Sequence, residues 1–173
     1  MTEGALPAAQ KRFIEQFNNL DDTIVIVLKA HILIEELLDG IISTFVFHAE
    51  PLDEARLSFA QKLHLARAMS LREQDNSMWK IGVSYNSQRN DLAHNLDSPK
   101  RVAKILALQN LYREEEKGNP EALKVLEEGE QFALMMIGVY FLGFLATFRD
   151  EVGRFRRVVD AMDNAMNGPV TAA

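Results

Sequence analysis

Residues 23–47 read TIVIVLKAHILIEELLDGIISTFVF, and the spacing within them decides the fold class. At about 100° per residue, Lys29, Glu36, Asp39 and Ser43 fall on one narrow stripe, the solvent side of a helix. Ile26, Leu33, Leu37, Ile41 and Phe45 lie away from that stripe. This is the period of an amphipathic helix rather than of a strand, and Asp21-Asp22 just before it suits an N-cap. His31 and Glu35 stand one turn apart and face away from the solvent stripe. A carboxylate turned inward needs a partner, because burying it alone is costly. Glu35 is therefore expected to pair with His31 or with a cation from another helix.

The same pattern extends in both directions. A first helix is expected from about Pro7 to Asn19. After the long helix, Glu50-Pro51 and Asp53 mark a break. Ser58-Phe59-Ala60-Gln61 has the spacing of a capping box and opens a helix to about Leu71. Asn76-Ser77 opens another, to about Leu96. Asp97-Ser98-Pro99 reads as a stop and a new start, with Ser98 as cap and Pro99 as first helical residue, leading to about Glu116. Lys117-Gly118-Asn119-Pro120 repeats the device, and a last helical stretch runs to about Asp163, bent near Gly129. The expected architecture is all-α: a single-domain bundle of about five to six helices. It divides into an N-terminal helix over 1–20, the bundle proper over 21–165 and a disordered tail over 166–173.

Composition narrows the function classes. There is no cysteine, which removes disulfides, thiol catalysis and cysteine-ligated zinc. A net charge of −6 argues against generic binding along nucleic acid, while leaving room for a small basic site. The N-terminus lacks the basic-then-apolar pattern of a secretory signal, so a cytoplasmic protein is expected. Phe132–Phe148 runs seventeen residues without a charge. That is the short limit for a membrane span, and a core or interface helix with no membrane role is the expectation. Phosphate loops, dinucleotide fingerprints and nucleophile elbows are all missing.

The chemistry concentrates between residues 78 and 96. Met78, Ile81, Tyr85, Leu92 and Leu96 share an apolar helix face, and Arg89 sits on it. A buried arginine calls for an acidic partner, and Glu35 is the candidate. Asn90 and His94 lie one turn apart on another face, in line with Trp79 and Val83, where they could point together at a ligand or a second chain. His31 and Glu35 have a spacing that could ligate metal, but no third ligand is evident, so neither metal nor cofactor is expected. His48 and His64 are lone histidines. Lys100, Arg101 and Lys104 form a basic start to the next helix, suited either to an RNA backbone or to solvent.

Arg89-Asn90-Asp91-Leu92-Ala93-His94 resembles the motif of the HEPN family, small helical bundles that are often homodimers. Ala30–Leu38 looks like that family's early helix, and Ser58–Leu63 like the helix before the motif. The resemblance covers roughly Thr23 to Phe148. It implies a metal-independent endoribonuclease with Arg89, Asn90 and His94 as catalytic residues and Lys100, Arg101 and Lys104 on the RNA. His31 and Glu35 would support them. RNA brings its own nucleophile, the 2′-hydroxyl. Histidine titrates near neutrality and suits proton transfer, while the arginine fork is always charged and matches two phosphate oxygens. Arg89 and His94 are about 140° apart around one helix, so the resemblance implies a composite site across a two-fold dimer. Many members are toxins or antiviral effectors, which implies an RNA substrate and an antitoxin or other protein partner. The alternatives are a non-catalytic regulator like the mannitol-repressor branch, acting through protein contacts, and a plain dimerisation module. Leu96 stands where one toxin subfamily has a tyrosine two residues after the histidine, so regulation by modifying that tyrosine does not carry over.

Overall fold

A computed structural model of the chain describes residues 22–94 and 99–168. The helix expected between Pro7 and Asn19, the Ser98 cap and the tail beyond Gly168 lie outside them, as does the His94 side chain. Among the described residues the fold is all-α, with seven helices: α1 (Asp22–Phe45), α2 (Glu50–Ala55), α3 (Phe59–Ala68), α4 (Met78–His94), α5 (Arg101–Glu115), α6 (Pro120–Leu123) and α7 (Glu130–Asn167). A 3-10 turn over Lys124–Leu126 joins the last two.

Local chemistry explains most of these boundaries. Ser58 and Gln61 form the reciprocal capping box at the start of α3, with Ser58 N–H donating to Gln61 Oε1 at 2.8 Å. Asn76 Oδ1 accepts from Met78 N–H at 2.8 Å where α4 begins. Four expectations need correction. Residues 50–55 are helical rather than a break, since a proline in the first turn lacks only an N–H that would have had no partner there. The stretch from Pro120 is broken, not bent: Gly129 takes φ 104°, outside helical space, and α7 starts afresh after it. Helix α5 starts at Arg101, with Pro99 in the preceding turn. Helix α7 also continues past residue 165 to Asn167, where Gly168 turns to φ 78°.

The core forms where α1 and α7 run side by side in the same direction. A side chain on Gly138 would press on Ala30, one on Gly40 would meet Arg149, and one on Gly153 would meet Thr44. Ile34, Leu38 and Ile41 of α1 are fully buried with Leu134, Ile137, Phe141 and Leu145 of α7. Lys29, Glu36, Asp39 and Ser43 are exposed as the stripe requires, whereas Leu33 is 47% exposed instead of inward. Helix α4 is fastened to α7 by Tyr85, whose hydroxyl donates to the Leu134 carbonyl. Burial raises the phenol's pKa, so it remains a protonated donor. Trp79 is 2% exposed and meets Phe144 and Phe148 edge-on, at 5.1 and 5.5 Å. It therefore belongs to the core and does not share the open side of α4 with Asn90. By length and composition alone, α7 is the one helix among the described residues apolar enough to cross a membrane. Its inner side is bundle core, and its outer side is exposed.

Two glycines test this packing. A Cβ on Gly82 would lie 2.7 Å from Phe141 Cζ and 2.9 Å from Leu63 Cδ1, while one on Gly143 would meet nothing within 4 Å. Gly82→Ala should lower unfolding free energy by about 1–3 kcal/mol through overpacking. Gly143→Ala should leave it unchanged or raise it by up to about 1 kcal/mol through helix propensity. Urea denaturation of both variants decides the matter, and equal effects would contradict the packing described.

Candidate functional site

The short helix α3 shapes the site. Along one flank of α4, Leu63 of α3 covers Gly82. Two turns further on α3 has ended at its Ser58 cap, and α4 is left uncovered. The opening is a cleft of about 340 Å³, with His31 and Glu35 of α1 on one wall and Asn86, Arg89 and Asn90 of α4 on the other. Ser58, Phe59 and Ala60 close its end. Four of the residues singled out by sequence, Arg89, Asn90, His31 and Glu35, thus meet in one place.

Their pairing differs from expectation. Arg89 is exposed rather than buried on the apolar face, because the helix that would have covered it stops short. Glu35 pairs not with Arg89 but with Lys62, whose Nζ lies 2.9 Å from Glu35 Oε1 and 2.8 Å from Asp39 Oδ2. Burial opposes the Lys62 charge, but the two carboxylates outweigh it and its pKa is raised. Arg89 Nη1 donates to Asn90 Oδ1 at 3.3 Å, which leaves the rest of the guanidinium open to the cleft. The buried polar position of α4 is its neighbour Gln88, 4% exposed, which faces Asp91 and Lys104 rather than this cleft.

His31 is the buried member. It is 6% exposed, and its ring stacks on Phe59 with centroids 4.2 Å apart. Nε2 lies 3.3 Å from Asn86 Oδ1, and Nδ1 faces Glu35 Oε2 at 3.9 Å. Burial pushes its pKa below the ordinary 6.5; the Asn86 hydrogen bond and the Glu35 carboxylate offset this in part, and Arg89 adds to the lowering. Sequence reasoning does not single out Asn86, although it sits one turn before Asn90 on the same helix, the i, i+4 relation that brings side chains together.

The basic start of α5 lies elsewhere. Lys104 Nζ contacts the Ser87 carbonyl at 3.0 Å and Asp91 Oδ1 at 3.3 Å, and Arg101 Nη2 is 3.9 Å from Glu130 Oε1. Ser87 and Asp91 are about 100° and 140° around α4 from Asn86, so neither Lys104 nor Arg101 joins the Arg89 cleft. Lys100 is the exposed N-cap residue of α5. His48 and His64 are exposed. Among the described residues no group of three histidine or acidic side chains is placed to hold a metal ion. No protein-family model, curated protein or solved structure matches the chain.

The His31 environment has a pH signature. A folded-state pKa below the unfolded value means that the unfolded chain binds more protons between the two. This contribution to stability is complete above pH 6.5 and is lost as pH falls through the folded value. Denaturation midpoints measured from pH 7.5 down to 5 should fall, and His31→Gln should flatten that slope. An NMR titration of His31 with a midpoint above 6.5 would contradict the assignment.

Proposed function

We propose that the chain is an HEPN-like, metal-independent endoribonuclease working as a homodimer. The observation that carries this reading is the state of Arg89: exposed at a cleft mouth beside Asn90, and not neutralised by Glu35, whose cation is Lys62. An arginine whose only task was to cement the fold would be buried against a carboxylate. Here its charge faces a space that a phosphate can enter. Arg89 and Asn90 hold the scissile phosphate and stabilise the charge of the phosphorane. His94, one turn beyond Asn90 on α4, transfers protons as the 2′-oxygen attacks phosphorus and the 5′-oxygen leaves. The products carry a 2′,3′-cyclic phosphate and a 5′-hydroxyl. The resemblance of the motif alone suggests the setting, a toxin or phage-defence effector in the cytoplasm with an antitoxin or other protein partner.

A second observation favours a reading in which protein contacts are themselves the function, as in a non-catalytic regulator. The outer face of α7 exposes Phe132, Met135, Val139, Gly143 and Ala146, an uncharged stripe along more than three turns. Glu127, Glu128 and Glu130 stand at one end, and at the other Arg149, Arg154 and Arg157 outnumber Asp150 and Glu151, all exposed. An antiparallel second copy would set each acidic end against a basic one. This complementarity supports a second copy of the chain as the occupant.

Cleavage of RNA in the presence of EDTA tests the first reading. Wild type should yield cyclic-phosphate ends, and Arg89→Ala and His94→Ala should each reduce the rate by about 10²–10⁴ while remaining folded. Equal rates in all three would remove the ribonuclease reading. Sedimentation velocity tests the interface: wild type should be dimeric at micromolar concentration and Val139→Glu monomeric. A monomeric wild type would sink the homodimer.

A further inference from the structure

The amides around Arg89 are held by their oxygens. An amide oxygen can only accept, so the contact between His31 and Asn86 Oδ1 makes Nε2 the protonated nitrogen of the neutral ring. Nδ1 is then the bare nitrogen that faces Glu35. Asn90 Oδ1 is likewise occupied, by Arg89 Nη1. With both oxygens engaged, Asn86 and Asn90 have their N–H groups left for a ligand. Arg89 adds further N–H donors and a fixed positive charge. Of the acceptors on the other walls, Glu35 Oε1 binds Lys62 and Ser58 Oγ accepts from Gln61 N–H, while Glu35 Oε2 and the bare His31 Nδ1 face each other across 3.9 Å. On the α4 wall of this cleft of about 340 Å³ the groups left over are therefore donors and one cation, the complement of an anion.

We infer that the cleft binds a single backbone phosphate of an RNA strand, with Asn86 as a further ligand beside Arg89 and Asn90 and with His31 as the residue that positions Asn86. The identity of the anion rests on the ribonuclease reading, while the donor arrangement stands apart from it. His31 fixes which end of the Asn86 amide faces the ligand, and the Phe59 ring stacked on the imidazole holds His31. The site suits one phosphate and not a long track. Glu35 sits on the opposite wall, and the nearby cations Lys62, Lys104 and Arg101 pair with Asp39 and Glu35, Asp91 and Glu130.

The probe is a 2′-O-methyl tetraribonucleotide, which lacks the nucleophile and stays intact whether or not the protein cleaves RNA. Wild type should bind it with weak salt dependence, a log–log slope near −0.7 for one phosphate on a single strand. Asn86→Asp, which replaces a donor by an anion, should weaken binding about tenfold or more. His31→Ala should weaken it several-fold, and His31→Gln, which can keep a donor to Asn86 Oδ1, should restore it. Circular dichroism confirms folding, and the Asn86 side-chain NH₂ resonances should move during the wild-type titration. Unchanged affinity in folded Asn86→Asp overturns the inference, as does an oligomer that does not bind. A mononucleotide binding as tightly as the oligomer would also overturn it, because the ligand would then not be a strand. If the oligomer binds through Asn86 while natural RNA is never cut, the ribonuclease reading fails and the phosphate site stands. If Arg89 and His94 prove essential for cleavage but Asn86→Asp leaves binding and KM unchanged, the phosphate site falls alone.

Discussion

Helices α1 and α7 lie side by side in parallel, and the position of every candidate residue follows from the seam between them. The helices approach closely where side chains are smallest. Gly138 rests against Ala30, and a Cβ there would come within 3.1 Å of Tyr85 Oη. That closeness lets Tyr85 reach the Leu134 carbonyl and fasten α4 to the same seam. Once α1 and α4 are both referred to α7, His31 and Asn86 have no freedom to part, and the cleft opens wherever α3 fails to cover the angle between them. The far end of the seam is closed by Arg156, which bonds to the Phe45 carbonyl and lies 3.5 Å over the Phe47 ring. A cation on the last carbonyls of α1 also suits the helix dipole.

Much of the fold could be read from residue spacing. The solvent stripe of α1, the Ser58–Gln61 capping box and the Asn76 start of α4 are local devices, each fixed by residues a few positions apart. The failures were not local. Arg89 lies within the apolar arc of α4 by angle, and the wheel therefore turns it inward. What leaves it outside is the length of another helix. Trp79 shares the angle of Asn90 yet is buried, because two phenylalanines of α7 cover that end of α4. A helical wheel treats every turn as having the same neighbours, and in a bundle of unequal helices the neighbours change along each one. For the same reason Glu35 was recognised as needing a cation while the choice of Lys62 over Arg89 was not legible.

The site shows the same division. The sequence supplied Arg89, Asn90, His31 and Glu35, and their meeting in one cleft depends on α1 and α4 packing in opposite directions. Asn86 carries no motif of its own and acquires meaning only from His31, fifty-five residues earlier in the chain. The acidic balance of the protein becomes intelligible beside this arrangement. The net charge of −6 disfavours long contact with a polyanion, yet a recess whose carboxylate is held by Lys62 on the wall opposite Arg89 can still accept one negative group.

The parallel seam has a further consequence, for how the chain reaches this structure. Ala30 and Gly138 touch across more than a hundred positions of sequence, whereas neighbouring antiparallel helices in a simple bundle meet through short loops. Contacts so far apart slow folding relative to other helical proteins of this size. During synthesis, α1 is complete long before its partner exists, and its inner row of Ile34, Leu38 and Ile41 must wait for the last quarter of the chain to leave the ribosome. Until then this apolar face is open to aggregation and to chaperones, so the nascent protein is most vulnerable at the helix that later carries half of its cleft.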